Sequence, residues 1–416
     1  MKNLLLFCIV IFIIPCNTDK KNTSDKTKNE GFQTFEFDVE NCRDNNFSDY
    51  FEISRVIPLE TTDASLIKYI SNTHINGEEI LIFDRELKKL FLFDREGKFI
   101  RQIGRNGKGP GEYIKINDFA TTINHDTISI YDEKSQGILR YNKKGEFLGK
   151  VKIGSYFGSM EIWKNKKFVM FNRNTIFFPK DEKISNFCVF NSQGKLLHED
   201  IFYSHSELAQ TYKIRYNDLY QLKDGSINVQ EFFNDTIFIY NGDRLIPRFY
   251  FDFKEYALPL ELKNSFLEQS HGDYEVFIKK VDNTNLMHNW GSIWFENNDI
   301  IATTRHRGKE ALDYIVFIDK RNGQHFIFKR FDQNFMWRFL PRLLGITQNC
   351  NSNELVFVIP AYEVKYLRDN DEQYLKKYKQ EYPQEWSVIE EAISKVKLED
   401  NPLLVFAKLK DYKTNM

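Results

Sequence analysis

The residues with the greatest capacity for chemistry are eight histidines, which stand singly along the chain. They are His74, His125, His198, His205, His271, His288, His306 and His325. No two of them form a His-Glu-x-x-His motif, which would set two zinc ligands on one helix face. A Gly-x-Ser-x-Gly nucleophile motif is absent as well. The sequence therefore predicts no catalytic residue, no metal site and no cofactor, although ligands gathered from distant segments would escape this test.

Cationic side chains form the second set of candidate residues, and they favour ligand binding over catalysis. Many stand between predicted strands, and the candidate ligand-binding residues are Arg85, Lys89, Arg105, Lys108, Arg305, His306 and Arg307. Gathered at one mouth of a channel, they would attract an anionic partner such as an acidic glycan or a carboxylate. The alternative is a solvated rim of unrelated charges. Because the whole chain balances 58 Lys and Arg against 59 Asp and Glu, no general attraction to nucleic acid is expected.

A glycine-rich segment at residues 104–113 could present backbone N–H groups to a phosphate. A Walker A loop would need Gly-Lys-Ser/Thr at the start of a helix, but Pro110 follows Gly109 here. We therefore favour a shaped connector in which Glu112 and Tyr113 pin the loop.

Internal repeats indicate the elements that must position these side chains. Short apolar strands pair around Asp/Asn-x-x-Gly or shorter turns, whose glycines stand at positions 97, 145, 194 and 242 and so recur at nearly constant intervals. Asp and Asn stabilise such turns and Gly supplies the positive φ. A unit of about 48 residues fits four antiparallel strands, so the sequence predicts an all-β, six-bladed β-propeller over residues 32–416. Five or seven blades are the alternatives.

Strands can be assigned within the two clearest repeats. The first spans residues 67–74, 79–84, 90–94 and 99–104, and the second spans 116–122, 127–132, 137–142 and 147–153. The last repeat lacks an outer strand, and residues 51–59 near the N-terminus are predicted to supply it and close the ring. Helical spacing near 255–285 and 363–398 predicts two helical insertions, which we expect on one face of the propeller.

The N-terminus is typical of an export signal. Lys2 precedes an apolar stretch at residues 4–14, which is too short to cross a bilayer as a helix (about 20 residues are needed). Cys16 follows, so residues 1–16 are predicted to be a lipoprotein-type signal peptide with lipid attachment at Cys16. Pro15 departs from the usual small residue, and an ordinary signal with an incidental cysteine is the alternative. Residues 17–31 are polar and predict a flexible tether.

Two segments carry a family likeness. Residues 107–113 read Gly-Lys-Gly-Pro-Gly-Glu-Tyr, and residues 401–404 read Asn-Pro-Leu-Leu. They resemble bacterial six-bladed β-propeller lipoproteins of the NHL-like kind, over roughly residues 51–409. The resemblance implies an envelope-located propeller and supplies no catalytic residues.

Two functions follow as hypotheses. The first is a non-catalytic, lipid-anchored scaffold of the cell envelope that recognises a glycan, peptide or protein partner at the helix-capped face. The second is a hydrolase or lyase with a metal or carboxylate site in the central channel, which would need three or more converging His, Asp or Glu side chains. Fold alone decides neither, because propellers host both roles. We favour the first because no catalytic motif is present.

Overall fold

The repeated turn forms as its residue types require. In the first repeat the carbonyl oxygen of Asp94 accepts the N–H of Gly97 at 3.0 Å, and its carboxylate accepts the N–H groups of Glu96 and Lys98. Gly97 has a φ of +82°, a conformation that costs L-residues with a side chain roughly 1–2 kcal/mol. The turn therefore brings two apolar strands together in antiparallel register.

The structure is a computed structural model of the chain. It describes residues 32–42, 47–164, 167–173, 184–203, 219–270, 273–289, 294–309, 312–329 and 354–410. Within these ranges the strands form six sheets of three to five strands and one two-stranded ribbon. The protein is an all-β propeller, as predicted.

The first three sheets each contain four antiparallel strands, ordered along the chain from the centre outwards. Sheet one is β3 (Ile70–Ile75), β4 (Glu79–Asp84), β5 (Lys89–Asp94) and β6 (Phe99–Gln102). After the parallel ribbon of β7 (Arg105–Asn106) and β8 (Glu112–Tyr113), sheet two is β9 (Ile116–Thr121), β10 (Thr127–Asp132), β11 (Gly137–Asn142) and β12 (Phe147–Lys152). Sheet three is β13 (Phe157–Trp163), β14 (Lys167–Arg173), β15 (Ile184–Phe190) and β16 (Leu196–Tyr203). The predicted strands of the first two repeats are confirmed to within three residues at each end.

The remaining sheets depart from this regular order. Sheet four is β17 (Leu219–Gln221), β18 (Ile227–Gln230), β19 (Thr236–Tyr240) and β20 (Leu245–Asp252), and β1 (Gln33–Glu36) adds a parallel fifth strand to β20. Sheet five pairs β21 (Met287–His288) and β22 (Trp294–Glu296) with β23 (Ile300–Arg307), followed by β24 (Leu312–Asp319) and β25 (His325–Lys329). Sheet six is β26 (Glu354–Ile359), β27 (Leu403–Leu409) and β2 (Phe51–Pro58).

The ring is closed by the N-terminal strand, as predicted. β2 pairs antiparallel with β27, with Phe51 opposite Leu409 and Pro58 opposite Leu403. Buried apolar clusters join each sheet to the next, and the largest joins sheets five, six and one. The number of blades stays a prediction, because the segment preceding β26 lies outside the described residues.

Helices occupy both predicted insertions. After α1 (Phe47–Tyr50), the first insertion contains α2 (Leu260–Gln269) and α3 (Tyr274–Asp282), and the second contains α4 (Ala361–Asn370), α5 (Glu372–Glu381) and α6 (Pro383–Lys395). Asp273 caps α3 by accepting the N–H groups of Glu275 and Val276. Pro383 stands at the first position of α6, where a backbone N–H would have no partner within the helix, so its absence costs nothing.

Both insertions lie in connections that emerge on the same face of a propeller. One connects the outer strand β20 to sheet five. The other connects β26 to β27, whose first residue, Leu403, pairs with Pro58 at the end of the outer strand β2. Helix α3 also packs on Phe232 and Phe233, which follow the second strand of sheet four. We call this the insertion-bearing face; its described segments are residues 59–69, 85–88, 103–115, 133–136, 153–156, 231–235, 253–270, 273–286, 308–309 and 360–402. The predicted boundaries 1–16 and 17–31, with Cys16, lie outside the described residues.

Candidate functional site

The loops of the insertion-bearing face are held by the aspartate that ends the second strand of each early repeat. Asp84 accepts the N–H groups of Lys68 at 2.6 Å and Tyr69 at 3.0 Å, both just before the inner strand β3. Asp132 accepts the N–H of Lys115 at 2.9 Å in the equivalent place of sheet two. The repeated aspartate is therefore structural, because it ties two connections of this face together.

The glycine-rich segment is a shaped connector, as favoured from its sequence. Glu112 accepts the N–H of Gly109 at 2.8 Å and the Arg105 guanidinium at 2.7 Å, and these donors lower the pKa of its carboxyl. Tyr113 is buried, and the hydroxyl of Tyr141 donates to the carbonyl of Gly111. The loop's polar groups thus bind one another.

The seven candidate ligand-binding residues fall into two separate groups. Arg105 and Lys108 are exposed, whereas Arg85 and Lys89 are half-buried, and these four lie around sheet one and its connection to sheet two. The remaining three, Arg305, His306 and Arg307, lie in strand β23 of sheet five rather than in a loop. The structure therefore does not gather all seven residues into one cluster.

Alternation along β23 gives its three candidates different surroundings. Arg305 is 1 % exposed and its Nε lies 3.7 Å from Oδ1 of Asp235. Burial raises the pKa of Asp235 to about 6 and lowers the pKa of Arg305 to about 10. Arg307 is also buried, where it contacts Glu40 at 3.3 Å and stacks 4.5 Å from the centre of the Tyr256 ring. Both guanidinium groups therefore serve packing in this structure, and only His306 points to the opposite side of the strand.

Charges on the insertion-bearing face are balanced rather than cationic. Acidic side chains pair with many of its cations; outside the helical insertions these pairs are Lys68–Glu86, Arg105–Glu112 and Lys115–Glu133. Ion pairs at the surface contribute little to stability, because solvent screens them. They neutralise positive charge on this face, so the structure supports the hypothesis of an anionic partner less strongly than the sequence did.

Exposed apolar side chains distinguish this face more clearly. Of the fifteen large apolar side chains that are exposed in the described part of the chain, eight lie on it: Leu66, Tyr69, Ile114, Leu260, Val276, Tyr362, Tyr366 and Leu398. The other seven lie in outer strands or beside β1, and none lies in the described hairpin turns of the opposite face. Tyr362 and Tyr366 are one turn apart on α4, so they share one side of the helix, and Tyr366 is 68 % exposed.

Tryptophan rings could serve as stacking platforms for a sugar, but packing accounts for two of them in this structure. Trp294 is buried and its ring stacks on Phe249 and Phe251 at 6.5 and 6.3 Å. Trp386 packs against the large apolar cluster and Tyr378. Trp290 and Trp337 lie outside the described residues.

Polar side chains tie the innermost strands together around the central axis. The Asn72 amide donates to Oδ1 of Asp118 at 3.1 Å, and the N–H of Met160 donates to Oδ2 at 2.8 Å, so one carboxyl joins sheets one, two and three. His74 and Glu161 are also buried, with Nε2 and Oε1 3.4 Å apart. These groups lie where the sequence hypothesis placed an enzymatic site, and their contacts are those of structural cross-links.

Asp118 should make the stability of the protein depend on pH. Burial raises its pKa to about 6, above the unfolded value near 3.9, although the Met160 N–H and Asn72 oppose the shift. Between these values the folded state holds a proton that the unfolded state has lost, so the free energy of unfolding falls by about 2 kcal/mol as the pH rises from 4 to 6. Asp118→Asn is expected to flatten that slope in urea titrations, whereas Asp243→Asn, at an exposed turn, leaves it unchanged. Equal slopes in all three proteins would refute the assignment.

One cluster of potential metal ligands was missed by the sequence prediction. Donor atoms of Asp282, His288 and His306 all lie within 4.8 Å of one another. Burial lowers the pKa of His288, with Asp282 opposing the shift. His288 and His306 stand directly opposite each other on β21 and β23, and Asp282 ends α3. No sequence motif contains these three residues, because the two histidines meet only through the pairing of strands β21 and β23.

Comparison with known proteins supports the fold and adds a family. The family model described as Domain of unknown function (DUF4934) matches residues 33–408. A protein of Bacteroides fragilis NCTC 9343, provisionally assigned as exported, has a structure with a TM-score of 0.69 and 18 % identity, covering 91 % of this chain and 100 % of its own. A member of the DUF4221 family from Bacteroides vulgatus ATCC 8482 has a TM-score of 0.47 and 11 % identity, covering 87 % and 98 %.

The WD40 repeats of RRP9 align with a TM-score of 0.42 and 9 % identity, covering 86 % of this chain and 99 % of theirs. Among curated proteins, none matches the sequence. Within the described residues, no helix has the length and apolar character needed to cross a membrane.

Proposed function

The chain belongs to the family described as Domain of unknown function (DUF4934), and from that premise we propose that it is an exported envelope propeller that binds a protein or peptide partner through its insertion-bearing face. The function is that of a binding scaffold, with no catalytic step. The observation that carries the proposal is the uneven distribution of exposed apolar side chains described above.

The chemistry of the face favours a polypeptide over a glycan. Tyrosine is a usual anchor of protein interfaces, because it buries a large area with few rotatable bonds. Helix α4 presents two exposed tyrosines one turn apart, whereas Trp294 is buried and Trp163 and Trp386 are partly buried against apolar clusters. Balanced ion pairs around them suit a polar rim. A glycan partner, and a hydrolase or lyase in the central channel, remain the alternatives.

Site-specific photo-crosslinking in the expressing cell tests the proposed face. A photoreactive residue at position 366 on α4 should yield a discrete adduct with an envelope protein, and one at Leu197, an exposed outer-strand position, should not. Adding Tyr362→Asp should reduce the adduct at 366 by about tenfold, since it places a charge in the interface. Identical adducts from both positions would contradict the proposal. A glycan-and-peptide array that retained only glycans would favour the glycan alternative.

Anchoring is proposed to depend on Cys16, with the lipobox-like segment 13–16 and the NHL-like lipoprotein resemblance as support. The structural similarity to a protein provisionally assigned as exported is in keeping with this location. Wild-type protein should sediment with membranes, because an acyl chain on the cysteine partitions into lipid. Cys16→Ser should move it to the soluble fraction of the envelope, and Cys42→Ser should not. Membrane association of the Cys16→Ser protein would rule out lipidation as the anchor.

A further inference from the structure

Two histidines face each other across sheet five at the insertion-bearing face. His288 on β21 pairs in register with His306 on β23, and their ring centres lie 5.3 Å apart. Directly opposite residues of an antiparallel pair project to the same side of the sheet, with Cβ atoms about 5 Å apart. The strand pairing therefore brings together two imidazoles that are well separated in sequence.

The carboxylate of Asp282 is brought to this pair by the end of helix α3. The N–H of Lys309 donates to the carbonyl of Thr284 at 2.8 Å, which joins the segment after the helix to the end of β23. A Cβ atom at Gly308 would lie 2.6 Å from the Cα of Asp282, so only glycine allows this close approach. The position of Asp282 is thus set by two independent backbone contacts.

The orientation of His288 leaves one ring nitrogen facing the carboxylate. Its Nδ1 lies 3.3 Å from the carbonyl oxygen of Leu286, and a carbonyl only accepts, so Nδ1 carries the proton. Its Nε2 lies 3.5 Å from Oδ1 of Asp282, at the outer limit of hydrogen bonding, and within the described part of the chain neither atom has a hydrogen-bond partner. The His288 side chain is fully buried and stacks on Phe233 at 5.5 Å.

In a metal-ligating histidine, one ring nitrogen binds the metal and the N–H of the other usually donates to a backbone carbonyl or a carboxylate. That hydrogen bond sets the tautomer and the ring orientation. The apolar cluster of Phe233, Phe277 and Val281 lowers the polarity of the surroundings. Asp282 and His306 are only partly buried, which leaves a path for an ion to enter.

We propose that Asp282, His288 and His306 form a binding site for one divalent transition-metal ion, with Zn²⁺ as the expected occupant. Two imidazoles and one carboxylate are a ligand set of borderline hardness, which zinc accepts with bonds of about 2.0–2.2 Å. Bonds of that length require the three donors to draw closer together when the ion binds. Three protein ligands leave a fourth position for water or for a group of a bound partner. The proposal does not depend on the partner proposed above.

Calorimetric titration of Zn²⁺ into purified, chelator-treated protein tests the site. Wild-type protein should bind about one ion per chain and gain thermal stability. Asp282→Asn and His306→Gln should each weaken binding by about 100-fold, because a neutral amide is a far poorer zinc ligand than a carboxylate or an imidazole. His325→Gln is the matched control, since His325 lies in sheet five outside the cluster, and it should bind as wild type does.

Far-UV circular dichroism without metal checks that the variants fold. Asp282→Asn keeps the shape of the side chain and decides the result even where His306→Gln fails to fold. Binding of Co²⁺ in the same proteins supplies a second readout, since its visible absorption reports nitrogen and oxygen ligation directly. A wild-type protein that binds no Zn²⁺ saturably, or an Asp282→Asn protein that binds it unchanged, would overturn the proposal and leave a buried His–Asp pair.

Discussion

Substitution of Ile57 by aspartate is expected to prevent the chain from folding, whereas the same change at Leu148 is tolerated. Both are aliphatic residues of outer strands, in β2 and β12 respectively, but Ile57 is 6 % exposed and Leu148 is 50 % exposed. Ile57 pairs with Leu404 of β27 and belongs to the apolar cluster that joins sheets five, six and one. A buried carboxylate without a partner costs several kcal/mol, a large part of a typical stability of about 5–15 kcal/mol.

This comparison tests ring closure rather than strand stability alone. The outer strands β6, β12 and β16 directly follow the other strands of their sheets in the sequence. In contrast, β2 comes from the N-terminal part of the chain and completes the sheet formed by the C-terminal strands. Yield of soluble protein, circular dichroism and a thermal unfolding curve distinguish the two variants. If Ile57→Asp unfolded at the same temperature as Leu148→Asp, the N-terminal strand would not be closing the propeller.

Alanine at Gly194 should destabilise the protein far more than alanine at Gly145. The two glycines occupy the same turn in successive repeats, with φ values of +81° and +79°, and each N–H donates to the carbonyl of the preceding asparagine of the turn. A Cβ at Gly194 would lie 2.2 Å from the carbonyl oxygen of Lys152, while at Gly145 the nearest atom, in Arg101, is 3.6 Å away. Both substitutions share a backbone penalty of about 1–2 kcal/mol, and only Gly194→Ala adds a clash with backbone of a neighbouring sheet.

We expect a loss of about 1–2 kcal/mol for Gly145→Ala and about 3–5 kcal/mol for Gly194→Ala, measured by urea unfolding. The difference arises between sheets, since the hairpins themselves are equivalent. Equal losses would mean that sheets two and three do not approach each other as closely as the structure shows.

Much of the propeller could be predicted because its signals are local. The turn glycines and their Asp or Asn partners lie within four residues of one another, and the apolar strands flank them directly. Strands β4, β10 and β11 match their predicted ranges, and the closing strand β2 was predicted from the missing edge of the last repeat. The parallel strand β1 was not predicted, because its pairing with β20 joins segments that are far apart in the sequence and follows no turn.

The surroundings of the candidate site residues could not be predicted from local sequence patterns. Sequence could mark Arg305, His306 and Arg307 as charged, but not that strand alternation buries the two arginines beside Asp235 and Glu40. Their partners are known only once sheets four and five pack together and the segment before α1 returns to sheet five.

The sequence by itself determined the repeat, the strand type and the closing of the ring, because hairpin turns and apolar alternation act over a few residues. Only the tertiary structure decided which side chains meet, such as Asp282 with His288 and His306. That outcome depends on strand register, on the end of one helix and on the absence of a side chain at Gly308, and no local pattern encodes those three together.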